Sequence, residues 1–320
     1  MLAALFLLQT ALTLGMPGAG ASPEYLAIQV ARAEGHFAAE GLQVSVRSLA
    51  GEGGAAKELG DGRVDLAATS LEEALRQGHA KGGAPPRLVF GLSHVAPVAL
   101  LVPAAQAGAI RTPADLDGKT VGIPAPGSPE HGLLVTLLTR ARVPLARVKI
   151  HGMGGRGLAQ AIAAGTVAGA MIGEPWATDL VRDGAAVVLA DFRQPGAGAG
   201  LLGDETVHAA VFAPAQSKLG VAELAAVDRA LLRAVERVRT ASPDELARRL
   251  GDAAGRAQEW PARFAAARAV LVRDGWVSVE VLEASLKLAK HRAALPAKVL
   301  MPRRLSDLIA TEPLRQALGR

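Results

Sequence analysis

Cysteine is absent from this 320-residue chain. That excludes disulfides, thiolate metal sites, iron-sulfur clusters, cysteine nucleophiles and a lipid-modified cysteine anchor, while leaving the compartment open. Aromatic residues are scarce, with six Phe, three Trp and one Tyr, too few for a base-stacking surface. The 35 Lys and Arg against 30 Asp and Glu give a net charge of +5, yet no basic run of five residues occurs, so nucleic acid is not an expected partner. No uninterrupted apolar run reaches about 18 residues, so no transmembrane helix is expected. The chain also lacks the H-E-x-x-H, G-x-x-x-x-G-K-[ST] and G-x-S-x-G patterns of metalloproteases, P-loop enzymes and serine hydrolases. Ser128, Glu130 and His131 are neighbours at a helix start, where consecutive side chains splay apart and do not form a triad.

What is present is globular. Half of the residues are apolar and a fifth are charged, and the length suits two domains. The first 22 residues, MLAALFLLQTALTLGMPGAGAS, combine an apolar run with the small-x-small triplet Ala19-Gly20-Ala21, as a secretory signal does. No Lys or Arg precedes Gly20, however, and Leu8, Thr10, Leu12, Leu14 and Met16 alternate onto one face. The reading is a first strand over Gln9–Met16, with residues 1–8 the remnant of a signal-like segment.

Nine further strand-like runs follow: Leu42–Ser48, Val64–Ala68, Arg87–Ser93, Val98–Val102, Thr120–Pro124, Arg147–His151, Val167–Ile172, Ala186–Asp191 and Thr206–Ala213. Between most of them lie helices that open on Ser22-Pro23-Glu24, Thr112-Pro113-Ala114-Asp115 and Ser128-Pro129-Glu130, each a capping side chain before a first-turn proline. The alternation predicts a parallel-sheet α/β class. Beyond about residue 221 the pattern is helical, with Leu224, Val227, Leu231, Val235 and Val238 on one stripe and a capping box at Ser242–Glu245.

An internal repeat organises these elements. Leu12–Ile28 resembles Val121–Leu134 in its order of strand, Gly/Pro loop, Ser-Pro-Glu and helix, and Gly62–Leu75 resembles Gly165–Leu180. Two similarly built lobes follow, and ligands of open α/β sheets sit beyond the carboxyl ends of the strands. Facing lobes would put four strand-to-helix turns around one cleft: Pro17–Ser22, Thr69–Ser70, Pro126–Ser128 and Gly173–Trp176. Each helix start favours an anion by about 0.3–1 kcal/mol, so the cleft suits an anion or a polar head.

The phrase Gly35-His36-Phe37-Ala38-Ala39-Glu40-Gly41-Leu42-Gln43-Val44 resembles the G-x-F-x-x-E-G-L-x-V run of the nitrate/sulfonate/taurine substrate-binding proteins of ABC transporters, which have thiamine-pyrimidine-like relatives. Gly60–Ser70, Thr112–Pro124, Gly127-Ser128 and Glu174-Pro175-Trp176 match in the same order, so the resemblance spans about residues 9–290. It implies a two-lobed type II periplasmic-binding-protein fold, each lobe a sheet flanked by helices, with a helical C-terminal region. Residues 9–100 and 207–320 would form the first lobe and 101–206 the second. It implies a solute-binding component of an ABC-type importer that is monomeric and lies in the periplasm or outside the cytoplasm, or in the cytoplasm if Met1 is the true start. A small anionic or polar ligand (sulfonate, nitrate, taurine or pyrimidine-like) would pass to a membrane permease by hinge closure, with no cofactor, metal or catalysis. Family members often carry an aromatic residue before Glu-Pro where this chain has Gly173, which predicts a roomier cleft. Alternatives are an enzyme on the same fold, dehydratase-like or pyrimidine-synthase-like, or a cytosolic ligand sensor; an apparent lack of acid/base pairs favours binding.

Candidate ligand contacts follow. Gly20 and Ser22 lie in the first turn, and Gly127 and Ser128 in its repeat, where each serine is either a helix cap or an anion contact. Tyr25 lines the cleft or packs beneath it, and Trp176, beside Glu174, is either a stacking platform or core. Gly51 opens Gly51-Glu52-Gly53-Gly54, read as a simple turn in preference to an anion nest because Glu52 would repel an anion. Thr69 and Ser70 end a strand, and His94 follows one.

Overall fold

The computed structural model describes residues 10–18, 22–251, 256–291, 295 and 299–320. The signal-like segment 1–8, Gln9 and Gly20 lie outside them. Among the described residues ten strands form: β1 (Thr10–Pro17), β2 (Leu42–Leu49), β3 (Leu66–Ser70), β4 (Arg87–Gly91), β5 (Val98–Pro103), β6 (Thr120–Ile123), β7 (Lys149–Gly152), β8 (Gly169–Gly173), β9 (Ala186–Asp191) and β10 (Ala209–Ala213). The helices of the α/β region are α1 (Leu26–Ala33), α2 (His36–Ala39), α3 (Gly51–Gly60), α4 (Leu71–Ala80), α5 (Pro129–Arg140), α6 (Gly154–Ala163), α7 (Trp176–Arg182) and α8 (Ala197–Leu202). The C-terminal region adds α9 (Val221–Thr240), α10 (Pro243–Leu250), α11 (Trp260–Val270), α12 (Val279–His291) and α13 (Thr311–Leu318).

The strands make two five-stranded sheets, ordered β2-β1-β3-β10-β4 and β7-β6-β8-β5-β9. The sequence repeat is thus a topological repeat: β1 and β6 hold equivalent places, and so do β3 and β8. The parallel pattern read from the sequence holds for part of each sheet, and both sheets are mixed. β1 pairs parallel with β2 and β3, and β6 with β7 and β8, but β10 and β5 pair antiparallel with both neighbours. These two strands enter from the opposite sheet without a right-handed βαβ crossover, so nothing constrains them to run parallel.

Each sheet is buried on both faces, the first by the clusters around Leu14 and Leu66 and around Ala67 and Phe212, the second by those around Leu100 and Val121 and around Ala99 and Ile172. Packing at the repeat-equivalent centres of β1 and β6 is tight enough that any side chain there would have to displace a leucine. A Cβ on Gly15 would lie 2.8 Å from Leu49 Cδ1, and one on Gly122 would lie 2.4 Å from Leu158 Cδ2. The α9 stripe read from sequence is buried throughout, and α9 packs on α1 and α13. Ser242 Oγ accepts the Glu245 N–H at 3.2 Å, as the box predicts.

The chain passes between sheets within 92–97 and within 192–208. The residue 100/101 boundary falls inside β5, which pairs only in the second sheet, so we place that crossing a few residues earlier. The C-terminal helices also reach the second lobe, through Val270 and α12 against α5.

Candidate functional site

A cavity of about 570 Å³ opens between the lobes at the carboxyl ends of the strands. Three of the four expected turns border it: Pro17 and Ser22 from β1, Pro126–Ser128 from β6, and Gly173, Glu174 and Trp176 from β8. The fourth does not. Thr69 and Ser70 are buried, Thr69 Oγ1 donating to the Glu52 carbonyl at 2.9 Å. The place expected for them is taken by Gly51, Glu52 and Gly53, so the Gly51–Gly54 run is corrected from a simple turn to the first turn of α3. His94 is likewise outside this cavity; its Nδ1 lies 3.3 Å from the Thr206 carbonyl, and Thr206 Oγ1 donates to the His94 carbonyl at 2.7 Å, clamping the two crossings together.

The remaining candidates converge. Ser128 caps α5, its Oγ accepting the His131 N–H at 3.3 Å, whereas the Ser22 side chain makes no capping bond and stays exposed at the cavity rim. Tyr25 is both core and lining: only 1% exposed, it donates its hydroxyl to Glu52 Oε1 at 2.7 Å. Trp176 is half-buried against the start of α6, where a Cβ on Gly155 would sit 3.0 Å from the indole Nε1. Glu174 accepts from Thr178 Oγ1 at 2.9 Å and Arg193 Nη1 at 2.6 Å, and Arg193 in turn holds Asp191 through Nε at 2.8 Å. The Glu174 carboxylate therefore anchors the turn that presents Trp176.

Apart from Glu174 and Tyr25, the sequence reading does not pick out the titratable groups of the cavity. Five carboxyl groups (Glu24, Glu52, Glu73, Glu130, Glu174) face it, with Arg76 and His208 the lining bases. Arg76 is ion-paired with Glu73. One donor atom each of Glu24, Glu52 and His208 lie within 4.8 Å of one another, so the cavity wall holds a carboxyl–imidazole group that is not apparent in the sequence. Burial pushes the His208 imidazole down, but the Glu52 charge reverses this and raises it to about 9. Burial pushes Glu24 up to about 7 against the opposing His208 charge. For Glu52, burial acts upward but the His208 charge and the Tyr25 hydroxyl outweigh it, holding the carboxyl below its ordinary value. Burial also raises Glu130 and, against Arg76, Glu73. A signal for two of these was visible: Glu24 and Glu130 are the repeat-equivalent residues of the two Ser-Pro-Glu phrases. His208 lies just before β10 without a motif, placed by its N–H to the Ser93 carbonyl and its carbonyl to the Leu71 N–H, both 2.9 Å.

Among known folds, the chain is similar to a protein from Bordetella bronchiseptica RB50 (24% identity, 97% of each chain covered, TM-score 0.73). It is also similar to the alkanesulfonate-binding protein SsuA from Xanthomonas axonopodis pv. citri bound to MOPS (21%, 94% of this chain and 98% of that one, 0.70) and to the periplasmic aliphatic sulphonate binding protein SsuA from Escherichia coli (18%, 90% and 89%, 0.74). These likenesses establish the two-lobed periplasmic-binding-protein fold. No curated protein matches by sequence. A family model described as NMT1/THI5 like matches residues 22–197, more than half of the chain, and the chain therefore belongs to the NMT1/THI5-like family.

Proposed function

We propose that this chain is the solute-binding component of an ABC-type importer, working outside the cytoplasm as a monomer that carries one small polar organic molecule to a membrane permease. The observation that carries this reading is the interlobe cavity of about 570 Å³, within the usual range of small-molecule sites and lined by helix starts from both lobes. A solute touching both walls makes contacts that only the closed arrangement provides, so binding shifts the population toward closure. Among the described residues no helix is long and apolar enough to cross a membrane, and delivery requires a separate permease.

The lining charge narrows the solute class. Helix starts attract anions, but this chain puts its own carboxyls there: Glu24 beside Ser22, Glu52 in α3, Glu73 in α4 and Glu130 in α5. The lining bases are committed to Glu52 and Glu73. A sulfonate or nitrate would meet carboxylates without a spare counter-charge, whereas a protonated amine or an aminated heterocycle finds acceptors, and its ring can lie on Trp176. A thermal-shift screen of amines, amino acids, aminated heterocycles, sulfonates and nitrate tests this: stabilisation by the nitrogenous group is expected, and stabilisation by sulfonates or nitrate alone would contradict it.

A second reading has one specific support. A buried carboxyl near neutrality beside a histidine is suited to general acid/base work, so Glu24 and His208 fit an enzyme on the same fold. Mass analysis of the bound solute separates the two, because a carrier returns it unchanged.

A further inference from the structure

Glu24 and His208 are 7% and 6% exposed; Glu24 Oε2 has no hydrogen-bond partner, and His208 Nε2 has only the ion contact to Glu52 Oε1 at 3.4 Å. A buried carboxyl oxygen without a partner, in a cluster whose donor atoms lie within 4.8 Å of one another, is costly unless something else satisfies it. We propose that Glu24, Glu52 and His208 form a binding site for one divalent transition-metal ion of the zinc class, set in the first-lobe wall with its remaining coordination positions open to the cavity.

The donor set is one imidazole nitrogen and two carboxylate oxygens, a combination that zinc-class ions accept and that leaves room for a further ligand. Spacing fits as well. Two ligands each about 2.1 Å from a tetrahedral ion lie about 3.4 Å apart, and His208 Nε2 lies 3.4 Å from Glu52 Oε1. All three donors lie within 4.8 Å of one another, so small side-chain rotations bring them onto one ion. The surrounding bonds hold the ligands in place as outer partners of metal sites do: the Tyr25 hydroxyl holds Glu52 Oε1 at 2.7 Å, Thr69 Oγ1 fixes the Glu52 carbonyl at 2.9 Å, and backbone bonds from Ser93 and Leu71 flank His208. Two carboxylates balance the double charge. Calcium and magnesium prefer more ligands, all of them oxygen, so this site discriminates against them. The imidazole must be neutral to ligate, so affinity falls as pH is lowered.

The inference stands apart from the solute reading, because it is measured without solute. Full-length chain stripped with chelator is dialysed against Zn²⁺ at neutral pH, with Mg²⁺ and Ca²⁺ as comparisons. One tightly held Zn²⁺ per chain is expected, weakened at least about tenfold by His208→Gln and by Glu24→Gln. No saturable binding, or binding untouched by both substitutions, overturns the proposal. Should the variants fail to fold, X-ray absorption of the wild-type zinc complex decides: one imidazole with oxygen neighbours supports the site, and a shell with no imidazole or with several overturns it. Solute screening with chelator present tests the carrier reading separately, so either reading can fail alone.

Discussion

Replacing Arg193 with Met should destabilise the chain by about 3–5 kcal/mol, the cost of leaving a buried ion-pair partner uncompensated. The side chains of Glu174 and Arg193 are only 2% and 10% exposed, and the guanidinium spans Glu174 at 2.6 Å and Asp191 at 2.8 Å. Met keeps most of the apolar stem, so the loss reports the charge. What remains for the Glu174 carboxylate is the Thr178 hydroxyl at 2.9 Å and N–H at 3.2 Å, too little for a charge out of water. Adding Glu174→Gln removes that charge and should recover part of the loss, the remainder staying with Asp191, which still lacks its guanidinium partner. Urea unfolding at pH 7 with an unchanged denaturant slope measures all three. A loss under about 1 kcal/mol for Arg193→Met, or strictly additive effects of the two substitutions, would refute the claim that this pair fixes the Trp176 turn.

Trp176→Ala should weaken the best solute at least about tenfold, as loss of a stacked ring commonly does, and titration calorimetry would read it; unchanged affinity removes the indole from the site. Gly122→Ala should cost about 1–3 kcal/mol by overpacking, because the new Cβ meets Leu158 at 2.4 Å, and thermal unfolding checks it. Stability of the metal-free chain should fall with rising pH. Glu24 is raised from 4.5 to about 7, so its stabilising proton is lost as pH climbs through 7. His208 is raised from 6.5 to about 9, so its contribution is full below pH 6.5 and lost as pH passes 9. Unfolding free energies across pH 5–9 should fall along that slope, and His208→Gln should lose its upper part.

Elements with a local signature were legible in the sequence. Strand alternation, capped helix starts and the repeat located the ten strands of the described residues and the equivalence of the two sheets, because those signals depend on neighbours a few residues apart. Strand direction was not legible: β5 and β10 read as ordinary strands, and only their entry from the opposite sheet makes them antiparallel. The cavity rim followed the same division. Ser22, Ser128 and Trp176 sit at turns that sequence marks, whereas His208 meets Glu52 across 156 positions with no pattern linking them. Glu52 reads in the sequence as a residue that would repel an anion, and in the fold its charge is what holds His208 at the cavity wall.

A bound solute should draw the two lobes together, and small-angle scattering of the chain with and without its best-binding solute tests that most directly. A smaller radius of gyration at saturation, with the solute recovered chemically unchanged, is the predicted result. Full occupancy without contraction, or recovery of a converted product, would contradict it.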